Sequence, residues 1–209
     1  MQTVIERTRE RQKTRRGKTY EPNGKPHPMR WTVDEYYKIY EAGLFRGKRV
    51  ELIRGEIIEM SPMLSPHATS IGLVSEVLRG IFTEGYDVRP QMPISLGRSD
   101  EPEPDVAVVV GSIRDYSEAH PTSAVLVVEV SLTSLRFDRT TKLRLYAESG
   151  IEDYWILNLK QRQLEVHRNP QGNGVEGFTY GEKLVFGEDQ SVAPLAKPDT
   201  SIKVADMLP

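Results

Sequence analysis

The sequence predicts an α/β fold, a mixed β-sheet flanked by helices, and three observations carry that expectation. Residues 105–110 and 124–130 are apolar, β-rich runs of strand length, better explained as strands buried on both faces than as half-exposed ones. Helix signals bracket them. Ile71, Val74, Val77, Leu78 and Ile81 recur at helical spacing after Ser65-Pro66, and residues 138–149 read as a helix capped by Asp138 and ended by Gly150. A further strand pair follows, residues 154–159 and 163–168, turning across Lys160-Gln161-Arg162. With a strand or two around Val88 and residues 92–96, the central order is helix, three strands, helix, strand, αβββαβ.

Other elements flank this core. Thr32 with Glu35 three residues later forms a capping box ahead of Val33, Tyr36, Tyr37 and Tyr40, so a short helix begins there and stops at Gly43. Residues 50–53 and 56–60 flank Arg54-Gly55, a hairpin signal. Residues 178–192 and 201–208 read as short C-terminal strands separated by Gly/Pro turns. Residues 1–29 read as a basic, flexible N-terminal extension, and residues 30–209 as a single domain.

Composition narrows the function classes. The 209 residues are 38% hydrophobic and 28% charged, values of a soluble globular protein, and no apolar run approaches membrane-spanning length. No secretory signal is visible. The absence of cysteine excludes disulfides, thiolate metal sites and cysteine nucleophiles, and fits a cytoplasmic location. His27, His67, His120 and His167 lack tight metal-ligand spacing, which argues against zinc. The net charge of −2 conceals an asymmetry: residues 1–30 carry nine Lys/Arg against three Glu. A basic tail on an acidic domain suits an anionic partner such as nucleic acid, or is simply a solvated arm.

Three side chains stand out as candidate chemistry. Along the strand at 124–130, Val125, Val127, Glu129 and Ser131 share one face, and Leu126, Val128 and Val130 the other. Glu129 follows five apolar residues, so it is either a pocket carboxylate at a strand end or a buried charge in a salt bridge. Pro104-Asp105 opens the other apolar strand, or marks a turn. Two carboxylates at the ends of adjacent strands would converge and repel, and a bound divalent cation relieves the repulsion. Oxygen donors select Mg²⁺ or Mn²⁺. Asp138, Lys142 and Tyr146 lie four residues apart on one face of the next helix. Lys142 either reaches back to the carboxylates, where it would stabilise developing charge, or forms a surface ion pair with Asp138.

Pro104-Asp105, Glu129-Val130-Ser131, Asp138-x-x-x-Lys142-x-x-x-Tyr146 and Gly150-Ile151-x-x-Tyr154-Trp155-Ile156 together resemble the restriction endonuclease family of the Uma-two type, within the PD-(D/E)xK nuclease superfamily. Val50-Glu51-Leu52-Ile53-Arg54-Gly55-Glu56, with Met60-Ser61-Pro62 and His67, is similar to that family's N-terminal portion. The resemblance spans residues 30–168, and more loosely the C-terminal strands.

The resemblance implies a restriction-endonuclease-like core with an added N-terminal helix and hairpin and added C-terminal strands. It implies Mg²⁺ (or Mn²⁺) held by Asp105, Glu129 and the carbonyl of Val130, with no small-molecule cofactor. The superfamily pattern has lysine where Ser131 stands, and the family's shifted lysine maps to Lys142. Glu51 matches a family glutamate and is either a further acidic or water-orienting group, or a hairpin residue paired with Arg49 or Arg54. Glu103, with the strand parity of Asp105, and His67 are further pocket candidates; Tyr146 and Tyr154 fit core or rim positions. Leu132 departs from the polar residue common after Glu-Val-Ser. The implied activity is hydrolysis of DNA phosphodiester bonds by an endonuclease, with the tail at residues 7–18 on backbone phosphates and, by analogy, a homodimer. The rivals are a DNA- or protein-binding module that keeps the fold without catalysis, and a carboxylate-pair hydrolase acting on sugars.

Overall fold

The computed structural model describes residues 27–174 and 177–209. The expected flexible extension at residues 1–29, with its basic stretch at 7–18, lies almost entirely outside the described residues. Among those residues no helix is long and apolar enough to cross a membrane.

The chain opens with helix α1 (Val33–Glu41), whose N-terminus carries both halves of the Thr32/Glu35 capping box. Strands β1 (Val50–Ile53) and β2 (Glu56–Glu59) form a separate two-stranded hairpin. Its turn residues Arg54 (φ 52°) and Gly55 (φ 73°) both take positive φ, the twist-compatible solution for a two-residue hairpin. Helix α2 (Ser65–Ile81) starts at the predicted Ser65-Pro66, with proline in the first turn where its missing N–H costs nothing.

The main sheet has six strands in the order β3-β4-β5-β6-β7-β8. They are β3 (Tyr86–Pro90), β4 (Val106–Val110), β5 (Leu126–Ser131), β6 (Asp153–Asn158), β7 (Gln163–Asn173) and β8 (Gly177–Gly187). Only β5 and β6 run parallel; the other neighbours are antiparallel. The parallel pair needs a crossover, and helix α3 (residues 135–148) provides it. The C-terminus adds a small hairpin, β9 (Ser191–Val192) with β10 (Ile202–Lys203), and a 3₁₀ turn at Val204–Met207.

Both faces of the central strands β4, β5 and β6 are covered. Val106, Val108, Leu126, Val128, Val130, Trp155 and Leu157 point to one side, against Ile71, Val74 and Leu78 of α2 and the C-terminal Val204 and Met207. Ala107, Val109, Val127 and Ile156 point to the other, against Tyr146 and Ala147 of α3. Double coverage explains why β4 and β5 are apolar without alternation. Glu129 belongs to the face covered by α3. Val125, expected on that face, packs with the opposite cluster because it precedes the regular strand.

Three expectations need correction. Residues 92–96 form no strand; their amides instead reach irregular partners, Ile94 N to Pro102 O at 3.0 Å and Ser95 N to Pro121 O at 2.9 Å, and a single strand, β3, remains. Helix α3 starts at Leu135 rather than behind an Asp138 cap, and residues Asp138–Lys142 form a π turn inside it. The Asp138 side chain faces inward, taken by Ser131 and Ser134, so it leaves no cap to the helix. The C-terminal strands are not all short: β7 and β8 pair over their length as a long hairpin. Their middle is rich in Asn, Gln and Gly, which conceals the strand pattern in sequence.

The β1–β2 hairpin is tied to the segment before β4. Leu52 and Glu101 exchange backbone hydrogen bonds (3.3 and 2.7 Å), and Gly55 N donates to Ser99 O at 2.8 Å. Tyr36 of α1 donates to Val50 O at 2.9 Å from the other side. This clamp fixes where Glu51 points. A Cβ on Gly55 would stand 2.9 Å from Arg30 Cβ and 3.1 Å from Trp31 O, besides demanding positive φ. Gly55→Ala is therefore expected to destabilise the fold by more than ~1 kcal/mol in chemical denaturation. Gly80→Ala, on α2 with nothing within 4 Å of the new Cβ, is expected to be neutral or to stabilise by up to ~1 kcal/mol.

Candidate active site

Antiparallel pairing of β4 with β5 matches Val106 to Val128, so the start of β4 lies beside the end of β5. Asp105 precedes the first residue of β4, and Glu129 follows Val128 on β5. The register therefore sets them side by side. Asp105 N approaches Glu129 Oε2 at 3.4 Å, and Val130 N donates to Asp105 Oδ2 at 2.9 Å. Both side chains are buried, yet both line one cavity of about 230 Å³. Larger cavities exist elsewhere, but they lack this concentration of carboxylates.

Lys142 enters from α3. It is 1% exposed, and its ammonium lies 2.9 Å from Glu129 Oε1 and 3.2 Å from Glu51 Oε2. The surface ion pair with Asp138 does not form. Both residues are buried, and the π turn sends the ammonium towards the two glutamates. A π turn within an α-helix is a frequent companion of functional sites. Tyr146, one turn on, donates its hydroxyl to Glu129 Oε1 at 2.7 Å, and Tyr154 donates to the Asp138 carbonyl at 3.0 Å.

Glu51 is fully buried. Its pairing with Lys142 replaces the expected alternative with Arg49 or Arg54. Oε2 also accepts from Glu103 N at 3.1 Å, while Oε1 has no hydrogen-bond partner among the described residues. Arg49 instead faces Glu103, at 3.5 Å, and Arg54 pairs with Glu148. Glu103 lines the cavity without belonging to a strand, so strand parity does not govern it. His67, near the start of α2, places Nε2 3.0 Å from Asp105 Oδ2.

The electrostatics are unbalanced. Four carboxylates, on Glu51, Asp105, Glu129 and Asp138, act on the single buried ammonium of Lys142. Burial would deprotonate Lys142, but Glu129, Glu51, Asp138 and Asp105 outweigh it and hold the proton far above the usual lysine range. Burial pushes the Glu129 carboxyl up to about 8; Lys142 pulls it down, while Asp105, Asp138 and Glu51 push it further up. Asp105 moves the other way. Burial would raise it, but His67, Lys142 and the Val130 N–H outweigh burial and keep it below its ordinary value. Neighbouring carboxyls driven apart in this manner are a frequent mark of acid–base or metal chemistry.

The structure thus brings Asp105, Glu129, Lys142, Glu51, Glu103, His67 and Tyr146 to one place. Ser131 does not face the cavity; its hydroxyl donates to Asp138. Val130 contributes its N–H to Asp105. Two features of the cavity were not assigned from the sequence. One is the place of Asp138, which reads as a helix cap or surface-pair partner but is 2% exposed and part of the cavity wall. The Ser-x-x-x-Asp spacing from Ser134 to Asp138 is a weak signal for it, since serines commonly satisfy nearby carboxylates. The other is an apolar flank, Met60, Met63 and Phe137, which no local pattern foretells because it joins a loop to a helix.

Comparisons with known proteins bear on the fold and the family. A family model described as "Putative restriction endonuclease", Uma2, matches residues 33–205. A crystal structure from Anabaena variabilis ATCC 29413, described as a putative nuclease belonging to DUF820, is similar in fold. It has a TM-score of 0.65 at 16% sequence identity, covering 86% of this chain and 97% of that one. No curated protein matches the sequence. With the mixed sheet of a nuclease-like fold and a family match over most of its length, the chain belongs to the Uma2 family of restriction endonuclease-like proteins.

Proposed function

We propose that residues 30–209 act as one domain, a divalent-metal-dependent endonuclease that hydrolyses DNA phosphodiester bonds at the Asp105/Glu129 cavity. The observation that carries this reading is the convergence of Asp105 and Glu129 across β4 and β5, with Lys142 buried against them. Family membership supports a nuclease. Among the described residues no group of three or more His, Asp or Glu side chains is arranged to hold a metal ion. The pair Asp105 and Glu129 supplies two carboxylates, and an ion such as Mg²⁺ is usually held through one or two carboxylates together with waters. The excess of carboxylates over cations supports a place for added positive charge.

Asp105, Glu129 and the Val130 carbonyl would hold the ion. When bound, it would lower the pKa of a water and neutralise charge on the phosphate. Lys142 keeps its proton, so its role is a fixed cation that stabilises charge growing on the phosphate, not a base. Glu51 lies behind Lys142 and is best read as the residue that orients it. Tyr146 orients Glu129, and His67 orients Asp105. A homodimer, with one site for each strand, completes the reading.

Plasmid and oligonucleotide cleavage with Mg²⁺ or Mn²⁺ tests it. Asp105→Asn, Glu129→Gln and Lys142→Met are each expected to lower the cleavage rate by about 10²-fold or more. Cleavage by all three at the wild-type rate would refute the site; folded protein that never cuts DNA would favour a binding module.

A pH prediction follows from Glu129. Its folded pKa of about 8 lies above its ordinary 4.5, so between these values the folded state binds a proton that the unfolded state releases. This contribution to stability is complete below about pH 4.5 and is lost as pH rises through about 8. Metal-free protein is expected to show this loss in thermal unfolding, and Mn²⁺ to offset it at the alkaline end. A Glu129→Gln variant without the alkaline loss would assign the effect.

A further inference from the structure

On the far side of α3 from the catalytic cavity, a second cavity of about 410 Å³ opens between that helix and the β7–β8 hairpin. Arg139 and Arg144 of α3 and Lys183 of β8 line it, together with His167 of β7. Beneath them lies Glu165, 2% exposed. Arg139 binds this carboxylate with two nitrogens, and Lys183 approaches it at 2.8 Å. Burial alone would raise the Glu165 carboxyl; the nearby His167 ring, which lies too far for a hydrogen bond, and the bound Arg139 and Lys183 outweigh it and hold it far below the usual range. So one ionised carboxylate fixes two cations at the wall. Arg144 is exposed and has no ion-pair partner among the described residues. Among the described residues the cations outnumber the carboxylate.

A second observation comes from His167. It is 5% exposed and wedged between Tyr154 and Tyr180, at ring separations of 5.8 and 6.0 Å. Its Nε2 stands 3.6 Å from Glu165, beyond hydrogen-bond distance, and has no hydrogen-bond partner among the described residues. A buried polar atom without a partner is costly unless something completes it. Here it lies in the wall of a cavity whose charged groups are predominantly cationic.

We propose that this cavity is an anion site that takes a phosphate of a nucleic acid strand. It rests on the nuclease reading, because it supplies that reading with a strand contact. Asp138 and Lys142 turn to the catalytic cavity, while Arg139 and Arg144, in the same helix, turn to this one. A strand crossing a helix about 10 Å wide would therefore meet both. The local cations also answer the acidic balance of the chain beyond residue 30, which disfavours binding by overall charge.

The test uses the full-length protein, a labelled DNA single strand and the matching duplex, with no divalent ion. Affinity is measured by fluorescence anisotropy over a range of salt concentrations. Each lost phosphate contact lowers the salt slope by roughly 0.7–0.9. Arg144→Ala with Lys183→Ala is expected to lower it by about 1.4–1.8 and to weaken binding about tenfold or more at low salt. Arg144→Glu, at an exposed position that should not disturb folding, is expected to weaken it alone. An unchanged slope and affinity in these variants, with circular dichroism as in wild type, would overturn the proposal. Inorganic phosphate that stabilises the protein through Arg144 while DNA affinity stays unchanged would also overturn it, identifying a small-anion site. Binding is read without cleavage, so its outcome is separate from that of the Asp105→Asn assay.

Discussion

A protonated lysine removed from water needs compensating charge close by, and Lys142 obtains it from two elements distant in sequence. Glu129 comes from the central strand β5, and Glu51 from the N-terminal hairpin. An isolated charge in a protein interior costs many kcal/mol, and breaking a buried pair typically costs about 3–5 kcal/mol. The position of the ammonium therefore constrains three parts of the fold together. The β1–β2 hairpin must dock against residues 97–103 to deliver Glu51. The β4/β5 register must place Glu129 beside Asp105. Helix α3 must carry its π turn to bring Lys142 inward. Each requirement is met by separate contacts: the Leu52–Glu101 backbone pair, the Val106–Val128 pairing and the inward anchoring of Asp138 by two serines.

The same arrangement leaves negative charge in excess. One ammonium cannot satisfy four carboxylates, and the opposed shifts of Asp105 and Glu129 express that imbalance. A site that stores surplus carboxylate charge in a concave, partly apolar pocket is poorly designed for stability alone. It is well suited to a cation that arrives with a phosphate. Helix α3 separates two charged regions, an acidic one at Asp105 and Glu129, proposed to carry the chemistry, and a basic one around Arg144 and Lys183, proposed to hold a strand.

Much of this was legible in the sequence, for identifiable reasons. The capping box at Thr32/Glu35, the Arg54-Gly55 turn and the spacing of α2 are local signals, and local rules suffice for them. Asp105 and Glu129 stood out because a carboxylate beside an apolar strand is unusual. Chain order, with the helix directly succeeding the strand, made Lys142 a candidate but left a surface ion pair with Asp138 open, and the family resemblance pointed to the site. The π turn was not legible, because it depends on how Asp138 meets Ser131 across the fold. The role of Glu51 was undecided between Arg49, Arg54 and the site, since only tertiary docking chooses among them. The long β7–β8 hairpin hid behind polar and glycine-rich residues, where pairing across the turn, not burial pattern, defines the strands.

The most direct measurement of the central claim is calorimetric titration of Mn²⁺ into the folded protein, wild type against Asp105→Asn. The wild type is expected to bind at one site, with proton release as Glu129 ionises, and the variant to lose at least tenfold in affinity. Absence of binding in the wild type, or equal binding by both proteins, would contradict it.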